Sequence, residues 1–164
     1  MAAGSYLLVR FENRQKLLEA IDLLKKFNQI KNWNAVDGFF SLVLKINDDV
    51  KPVIDALTKF DSSFNYSQCD LISNENKKIE LSQELSSSFL FVETDKNFKD
   101  AIADSLDKMD SVAYTDKTNG SYDLIVIINN ENFDQIDRVI EEKIKPLDGI
   151  LRFKQARIIA LDKM

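Results

Sequence analysis

The hydrophobic positions of this chain follow two periods, and each period predicts one kind of secondary structure. Short runs rich in Val, Ile, Leu and Phe predict β-strands, because such side chains suit a pleated, half-buried surface. Between these runs, apolar residues recur at every third or fourth position and predict amphipathic helices. The predicted strands are residues 6–11, 30–36, 39–46, 64–72, 89–94, 112–118, 122–128 and 150–160, and a predicted helix follows the first, third, fifth and seventh of them.

The same order of elements occurs twice, with a spacing of 82 residues between Gly38 and Gly120. Each glycine lies between two apolar runs, in an Asp-Gly or Asn-Gly pair that favours a hairpin turn. The order β-α-β-β-α-β is that of the ferredoxin-like arrangement. We therefore predict an α+β protein of two tandem ferredoxin-like βαββαβ units at residues 5–72 and 88–160, joined by a polar linker at residues 73–87.

Several predicted strands are apolar on both faces. In the strand at residues 122–128, for example, Leu124 and Val126 alternate with Ile125 and Ile127. A sheet with helices on one side needs only one apolar face, so a second apolar face must be covered as well. We expect the sheet of the other half to cover it, as in a dimeric α/β barrel, which makes the chain a pseudo-dimer. Identical units from another chain would serve equally well.

Composition limits the class of protein further. With 164 residues, 45% hydrophobic and 30% charged, the chain is long enough to bury a sizeable core. Its apolar runs are far shorter than the roughly 20 residues that cross a bilayer, and its first residues have no secretory pattern. We expect a cytoplasmic protein without membrane contact. The single cysteine, Cys69, excludes an internal disulfide and is expected to be buried.

The charged residues argue against two classes of function. A formal net charge of −5 disfavours direct binding of nucleic acid, which depends on Lys and Arg displacing phosphate counterions. The chain has no histidine, so no imidazole is present for general base catalysis or for zinc or haem ligation. Carboxylates, Lys or Tyr are chemically able to catalyse, but no pattern in the sequence supports it. We expect a non-enzymatic protein with no catalytic residue, no metal and no cofactor.

The stretch Thr118-Asn119-Gly120-Ser121-Tyr122-Asp123-Leu124 carries a family resemblance, together with the helix at residues 133–145 and the segment Leu147-Asp148-Gly149-Ile150 before the last strand. In these features, residues 88–160 resemble the effector-binding domain, or RAM domain, of the Lrp/AsnC regulators. Residues 5–72 resemble it more weakly. Members of that family carry a DNA-binding helix-turn-helix before this domain, whereas this sequence begins at once with a strand. It is therefore expected to be a stand-alone tandem form.

The resemblance implies a site for an amino acid or a similar small molecule near the turn between the second and third strands, where domains pack together. Carried over residue by residue, the ligand-binding candidates are Thr118, Gly120, Tyr122 and Asp123. A glycine turn lets a ligand carboxylate approach backbone N–H groups, and an aspartate accepts hydrogen bonds from an ammonium group. The resemblance also implies oligomerisation, or co-assembly with related domains through which any effect on transcription would pass.

The first half departs from the family pattern. Val36 stands where the second half has Thr118, and Ser41 stands where it has Asp123. This half-site is expected to bind poorly or not at all, so a substitution of Ser41 should matter less to binding than one of Asp123. The same residues also have plainer explanations. The glycines serve hairpin geometry, Asp123 serves as a turn or capping residue, and the aromatic side chains serve packing.

Other classes share the predicted order of elements. An RNA-recognition motif requires aromatic RNP motifs with basic neighbours, which the acidic balance disfavours. An ACT domain typically has its glycine after the first strand, where this chain has none. Siroheme decarboxylases share the Lrp/AsnC architecture, but that resemblance would bring a helix-turn-helix and histidines. We therefore predict a small-molecule sensing or regulatory module. The alternatives are an assembly module without a ligand and an enzyme of the dimeric α+β-barrel type.

Overall fold

The computed structural model describes residues 4–47, 49–72 and 84–159. Within these ranges the fold is mixed α+β with an antiparallel sheet and four α-helices, which confirms the predicted class and the order of elements. The strands are β1 (Ser5–Arg10), β2 (Ile30–Gly38), β3 (Leu42–Ile46), β4 (Asn65–Leu71), β5 (Ser86–Thr94), β6 (Val112–Gly120), β7 (Leu124–Asn130) and β8 (Ile150–Ile159). The helices are α1 (Arg14–Leu24), α2 (Lys51–Phe60), α3 (Lys99–Asp107) and α4 (Phe133–Val139), and a π-helical turn at Ile140–Ile144 continues α4.

The segment between the halves is described only in part. Residues 73–83 of the predicted linker, like residue 160 of the predicted last strand, lie outside the described residues. The strand β5 begins at Ser86, two residues before the predicted domain boundary at Ser88. Among the helices that the structure describes, none combines the length and the apolar character that crossing a bilayer requires.

The eight strands form a closed barrel in the order β1-β3-β2-β8-β5-β7-β6-β4, and all neighbours are antiparallel. The first half contributes the run β4-β1-β3-β2 and the second half the run β8-β5-β7-β6, so both halves have the same internal order. The halves join edge to edge at two seams, β2 with β8 and β4 with β6. Closure leaves no free sheet edge within the barrel.

The apolar side chains separate into three clusters that follow this architecture. One cluster packs the first-half strands against α1 and α2, and another packs the second-half strands against α3 and α4. The third contains residues of both halves, among them Tyr6, Leu8, Phe89, Phe91 and Ile125, and fills the barrel interior. The strands are therefore apolar on both faces because helices cover one face and the opposite half covers the other. The origin of the halves by duplication, as a pseudo-dimer, stays a prediction.

The two glycines of the repeated turn lie in the antiparallel hairpins β2–β3 and β6–β7, as predicted, and also at the seams between the halves. Gly38 and Gly120 are the last residues of β2 and β6, and three further residues connect each strand to the next. Gly38 pairs with Ala156, and Gly120 pairs with Cys69 of the other half. A Cβ atom at Gly120 would overlap the carbonyl oxygen of Gln68, and the φ angle of Gly120 is +121°. Glycine is required here because two backbones meet closely at a positive φ.

The predicted helix at residues 133–145 differs from the expected regular pattern in its second part. Its N-cap is Asn132, whose side chain accepts from the Gln135 N–H at 2.9 Å. The N–H of Lys145 donates to the Ile140 carbonyl at 2.8 Å, an i to i+5 bond that defines the π-helical turn. Periodicity alone predicts a regular helix through this segment, because it does not distinguish the two hydrogen-bonding patterns.

A buried polar cluster spans the barrel interior between the halves. The Tyr6 hydroxyl donates to the Asp116 carboxylate at 2.6 Å, and the Lys45 ammonium lies 3.3 Å from the same oxygen. Lys45 also donates to the Tyr114 hydroxyl. Burial, followed by the charge of Asp116, raises the pKa of Tyr6 well above its ordinary value, so this phenol stays a hydrogen-bond donor. Two residues of each half thus share one desolvated network.

The seam geometry predicts the outcome of a glycine substitution. Gly120→Ala should lower the free energy of unfolding by about 1–3 kcal/mol, because the backbone is left-handed and the new methyl group meets the Gln68 carbonyl. Urea denaturation followed by circular dichroism measures this. The neighbouring exposed residue provides the control, since Asn119→Ala should change stability by only about 0.5 kcal/mol or less. Equal effects of the two substitutions would contradict the role of Gly120 at the seam.

Candidate functional site

The predicted site begins with a tightly bonded turn between β6 and β7. The Thr118 hydroxyl donates to the Tyr122 carbonyl at 2.9 Å, and the Thr118 N–H donates to the Asp123 carbonyl at 2.8 Å. These bonds turn the Tyr122 ring inward, where its centroid lies 5.6 Å from that of Phe91 and 6.3 Å from that of Phe40. Thr118, Tyr122 and Asp123 are thus brought together, while Gly120 serves the seam on the far side of the turn.

The carboxylate of Asp123 has partners within the protein. It accepts from the Thr94 N–H at 2.8 Å and lies 3.8 Å from the Lys99 ammonium, which also donates to the Thr118 carbonyl at 2.5 Å. The side chains of Lys99 and Asp123 are 15% and 33% exposed, so this ion pair is largely shielded from water. Asp123 therefore fastens the turn to the end of β5 and the first residue of α3.

The first half has a neutral version of the same arrangement. Ser41 occupies the position of Asp123, and its hydroxyl accepts from the Phe11 N–H at 3.1 Å, as Asp123 accepts from Thr94. On the helix, Leu17 begins the buried stripe of α1 at the position that Lys99 holds in α3. The charged pair of the second half thus corresponds to an uncharged pair in the first half. Both members of the pair differ together, which indicates that they function as a unit.

A cavity of about 410 Å³ lies beside this turn. Because neighbouring strands are antiparallel, the C-terminal end of β5 and the N-terminal end of β8 meet at this end of the barrel. The cavity is lined by Glu93, Ser121, Tyr122, Arg152, Phe153 and Lys154. Tyr122 and Ser121 come from the predicted stretch, whereas Thr118, Gly120 and Asp123 are not part of the lining.

Charges of both signs surround the cavity. Arg152 forms an ion pair with Glu93 across the β5–β8 ladder. The Lys154 ammonium lies 3.4 Å from the ring centroid of Phe39, and the Arg10 guanidinium lies 4.7 Å from the same centroid. Phe39 in turn contacts Phe40 edge to face, with centroids 5.0 Å apart. We call the barrel mouth the six lining residues together with Phe39 and Arg10, which adjoin Lys154 outside the lining: Arg10, Phe39, Glu93, Ser121, Tyr122, Arg152, Phe153 and Lys154.

The Tyr122 side chain is the one aromatic group that both packs in the barrel and lines the cavity. Burial raises its pKa, and the charge of Glu93 raises it further, while Arg152 opposes the shift. The hydroxyl therefore stays protonated at neutral pH and is a hydrogen-bond donor. Nearby, burial raises the pKa of the Cys69 thiol to about 11, so this buried cysteine is not a reactive thiolate.

Two further cavities lie over the β2–β8 seam. One of about 440 Å³ is lined in part by Asp37, Asp137, Glu141 and Arg157, and the other, of about 430 Å³, lies on the first-half turn next to Ser41. Asp137 is already bonded to Gln155 and Arg157. No group of three or more potential metal ligands occurs within residues 4–47, 49–72 and 84–159.

Sequence reasoning found the turn but missed most of the cavity. Glu93, Arg152 and Lys154 stand in predicted strands, where exposed charges are normal and carry no signal of a site. Lys99 had a detectable signal, because it is a charged residue at an apolar-stripe position of α3. The position of Arg10 and Phe39 next to Lys154 cannot be predicted without knowing how the two halves of the chain pack together.

Comparisons with known proteins show what the second half of the chain is similar to. Residues 87–160 match the family model of the Lrp/AsnC ligand binding domain. No protein of curated function matches the sequence.

Solved structures show how widely the whole fold occurs. Siroheme decarboxylase NirDL aligns with 96% of this chain and 71% of its own at a TM-score of 0.75 and 8% identity. A candidate monooxygenase from Fusobacterium nucleatum aligns with 96% of this chain and 93% of its own at a TM-score of 0.56 and 13% identity. Escherichia coli AsnC aligns with 68% of this chain and 73% of its own at a TM-score of 0.44 and 13% identity. At such identities the first two similarities show the fold alone.

The paired difference between the halves predicts a thermodynamic coupling. Lys99→Leu and Asp123→Ser should each destabilise the chain, whereas the double variant, which recreates the first-half pair, should recover part of the loss. The coupling free energy should be about 0.5–3 kcal/mol by a urea-denaturation double-mutant cycle, because the two groups are partly buried and in contact. The control pair is Lys117 and Asp100, whose exposed ion pair at 3.0 Å should couple by well under about 1 kcal/mol. Additive effects of Lys99→Leu and Asp123→Ser would contradict this account.

Proposed function

We propose that this chain is a non-enzymatic regulatory module that binds an amino-acid-like small molecule at the barrel mouth. The observation that carries the proposal is a cavity with charges of both signs beside the turn that the Lrp/AsnC resemblance marks as a ligand site. Its volume of about 410 Å³ falls within the range of roughly 300–1,000 Å³ usual for small-molecule sites. A free amino acid carries one carboxylate and one ammonium group, so it needs partners of both signs.

Each group at the mouth has a role in this proposal. Arg152 receives the ligand carboxylate, and Glu93 accepts from its ammonium group. The hydroxyls of Tyr122 and Ser121 provide neutral hydrogen bonds that fix the orientation of the ligand.

The other predicted site residues hold this arrangement in place. Thr118 and Asp123 fix the turn that carries Tyr122, because their polar groups already bond within the protein. Gly120 permits the seam on which the mouth depends. In this proposal, Tyr122 is the member of the predicted set that contacts the ligand. Asp123, which the resemblance suggested as the ammonium acceptor, is replaced in that role by Glu93.

We also propose that the chain is a pseudo-dimer of two related units. Matching hydrogen bonds support this, since the Val36 N–H donates to the Ser41 carbonyl at 3.0 Å as the Thr118 N–H donates to that of Asp123. The first half has the uncharged Leu17 and Ser41 in place of Lys99 and Asp123, which favours one ligand per chain, bound in the second half. The regulatory effect would pass through self-association or co-assembly with related domains in the cytoplasm, as the family resemblance implies.

A ligand screen tests the proposed function. Thermal-shift measurements with the twenty amino acids should reveal at least one that stabilises the chain, by about 2.7 kcal/mol at 100 times its dissociation constant. Glu93→Gln should weaken the binding affinity for that amino acid by roughly tenfold to a hundredfold. This corresponds to the loss of a charge-assisted hydrogen bond of about 1.5–3 kcal/mol. The control Glu142→Gln, at an exposed position of the π-helical turn, should bind as the parent does. If no amino acid stabilises the protein, an assembly module without a ligand replaces this proposal.

A further inference from the structure

The barrel mouth has an excess of positive charge although the chain as a whole is acidic. It holds three cations, Arg10, Arg152 and Lys154, against one carboxylate, Glu93, while the formal net charge of the chain is −5. The ion pair of Arg152 with Glu93 accounts for one cation. Within the part of the chain that the structure describes, neither Arg10 nor Lys154 lies within ion-pair distance of a carboxylate.

The two remaining cations lie against the same ring. The Lys154 ammonium is 3.4 Å and the Arg10 guanidinium 4.7 Å from the centroid of Phe39, whose side chain is 46% exposed. The electron-rich face of an aromatic ring attracts cations and offsets part of their mutual repulsion. It does not neutralise their charge, so Lys154 brings an unpaired positive charge to the cavity lining and Arg10 adds a second one at the adjoining ring. Arg10 and Phe39 come from the first half and Lys154 from the second, so barrel closure creates this arrangement.

We propose that the ligand of the barrel mouth is an acidic α-amino acid, with a second carboxylate besides the one that every amino acid carries. This inference rests on the proposed function and names the chemical class of its ligand. The α-carboxylate and the ammonium group use Arg152 and Glu93, and the side-chain carboxylate pairs with Lys154. A neutral amino acid leaves Lys154 without an anion, and a basic one is repelled by it.

Glu93 also makes the site selective for an acidic amino acid over anions that have no ammonium group. A carboxylate in the lining repels inorganic phosphate and a dicarboxylate without an ammonium group, while it attracts the ammonium of an amino acid. Glu93 is an acceptor, and Arg152 and Lys154 are donors. The barrel mouth therefore matches a ligand with two negative charges and one positive charge.

Isothermal titration calorimetry on the full chain tests this inference with isosteric ligand pairs. L-Glutamate or L-aspartate should bind at least tenfold more tightly than L-glutamine or L-asparagine, and the preference should fall as salt screens the charges. Lys154→Gln should reduce the preference for the acid over its amide several-fold, and Arg10→Gln, which removes the second cation at the Phe39 ring, should reduce it by a smaller factor. The control Lys108→Gln, at an exposed position beyond α3, should keep the preference in full.

The possible outcomes separate the two proposals. Equal affinity for the acid and its amide, or a preference that survives both mouth substitutions, would overturn the acidic-ligand inference and leave the proposed function standing. Binding of succinate or inorganic phosphate as tightly as L-glutamate would overturn it also, because Glu93 would then have no ammonium to receive. If titration with each of the amino acids gives no heat of binding, the proposed function itself is overturned.

Discussion

The structure depends on backbone pairing at the two seams where the halves of the chain meet. Four antiparallel strands of one half leave two edges, and pairing β2 with β8 and β4 with β6 removes both at once. That pairing brings backbone so close at the end of β6 that Gly120 cannot carry a side chain without displacement. Closure then covers the second apolar face of every strand, since the inner faces of both halves share a single core. The barrel mouth follows from the same closure.

The barrel interior adds specificity to this pairing through the network of Tyr6, Lys45, Tyr114 and Asp116. A buried ion pair gains little net stability, because desolvation of the charges offsets most of their attraction. Its partners nevertheless come from opposite halves, so a wrong register at the seams would leave Lys45 or Asp116 as an unpaired buried charge. Such a charge costs several kcal/mol on the scale of buried ions, which disfavours alternative pairings. We interpret the network as a constraint on register rather than as a source of stability.

The sequence predicts the elements well and the assembly less well. Alternating and helical periods locate every described strand and helix to within a few residues, because each element buries an apolar face of its own. The same patterns cannot show which sheet edges pair, so the hairpin signal of Gly38 and Gly120 is correct but does not reveal their second role at the seams. Asp123 was recognisable as a special residue, but its bonds to Thr94 and Lys99 depend on how α3 follows β5.

The mouth illustrates why a candidate site is harder to predict than a fold. Arg10, Phe39 and Lys154 are far apart in the sequence, and each alone is an ordinary surface residue. They are recognisable as a group only because they lie together at one end of the barrel. There positive charges outnumber negative ones, although the chain as a whole is acidic. The lining of the cavity comes from the second half, and contact between the halves adds Phe39 and Arg10 next to its lining residue Lys154.

Amide chemical shift mapping on the isotopically labelled chain tests this central claim most directly. With a stabilising amino acid, the account predicts the largest shift changes at Ser121, Tyr122, Glu93 and residues 152–154, together with Phe39 from the other half. Phe39 adjoins the lining residue Lys154 only when the barrel is closed. Changes concentrated at Asp37, Asp137 and Glu141 over the β2–β8 seam, with none at the mouth, would contradict the account.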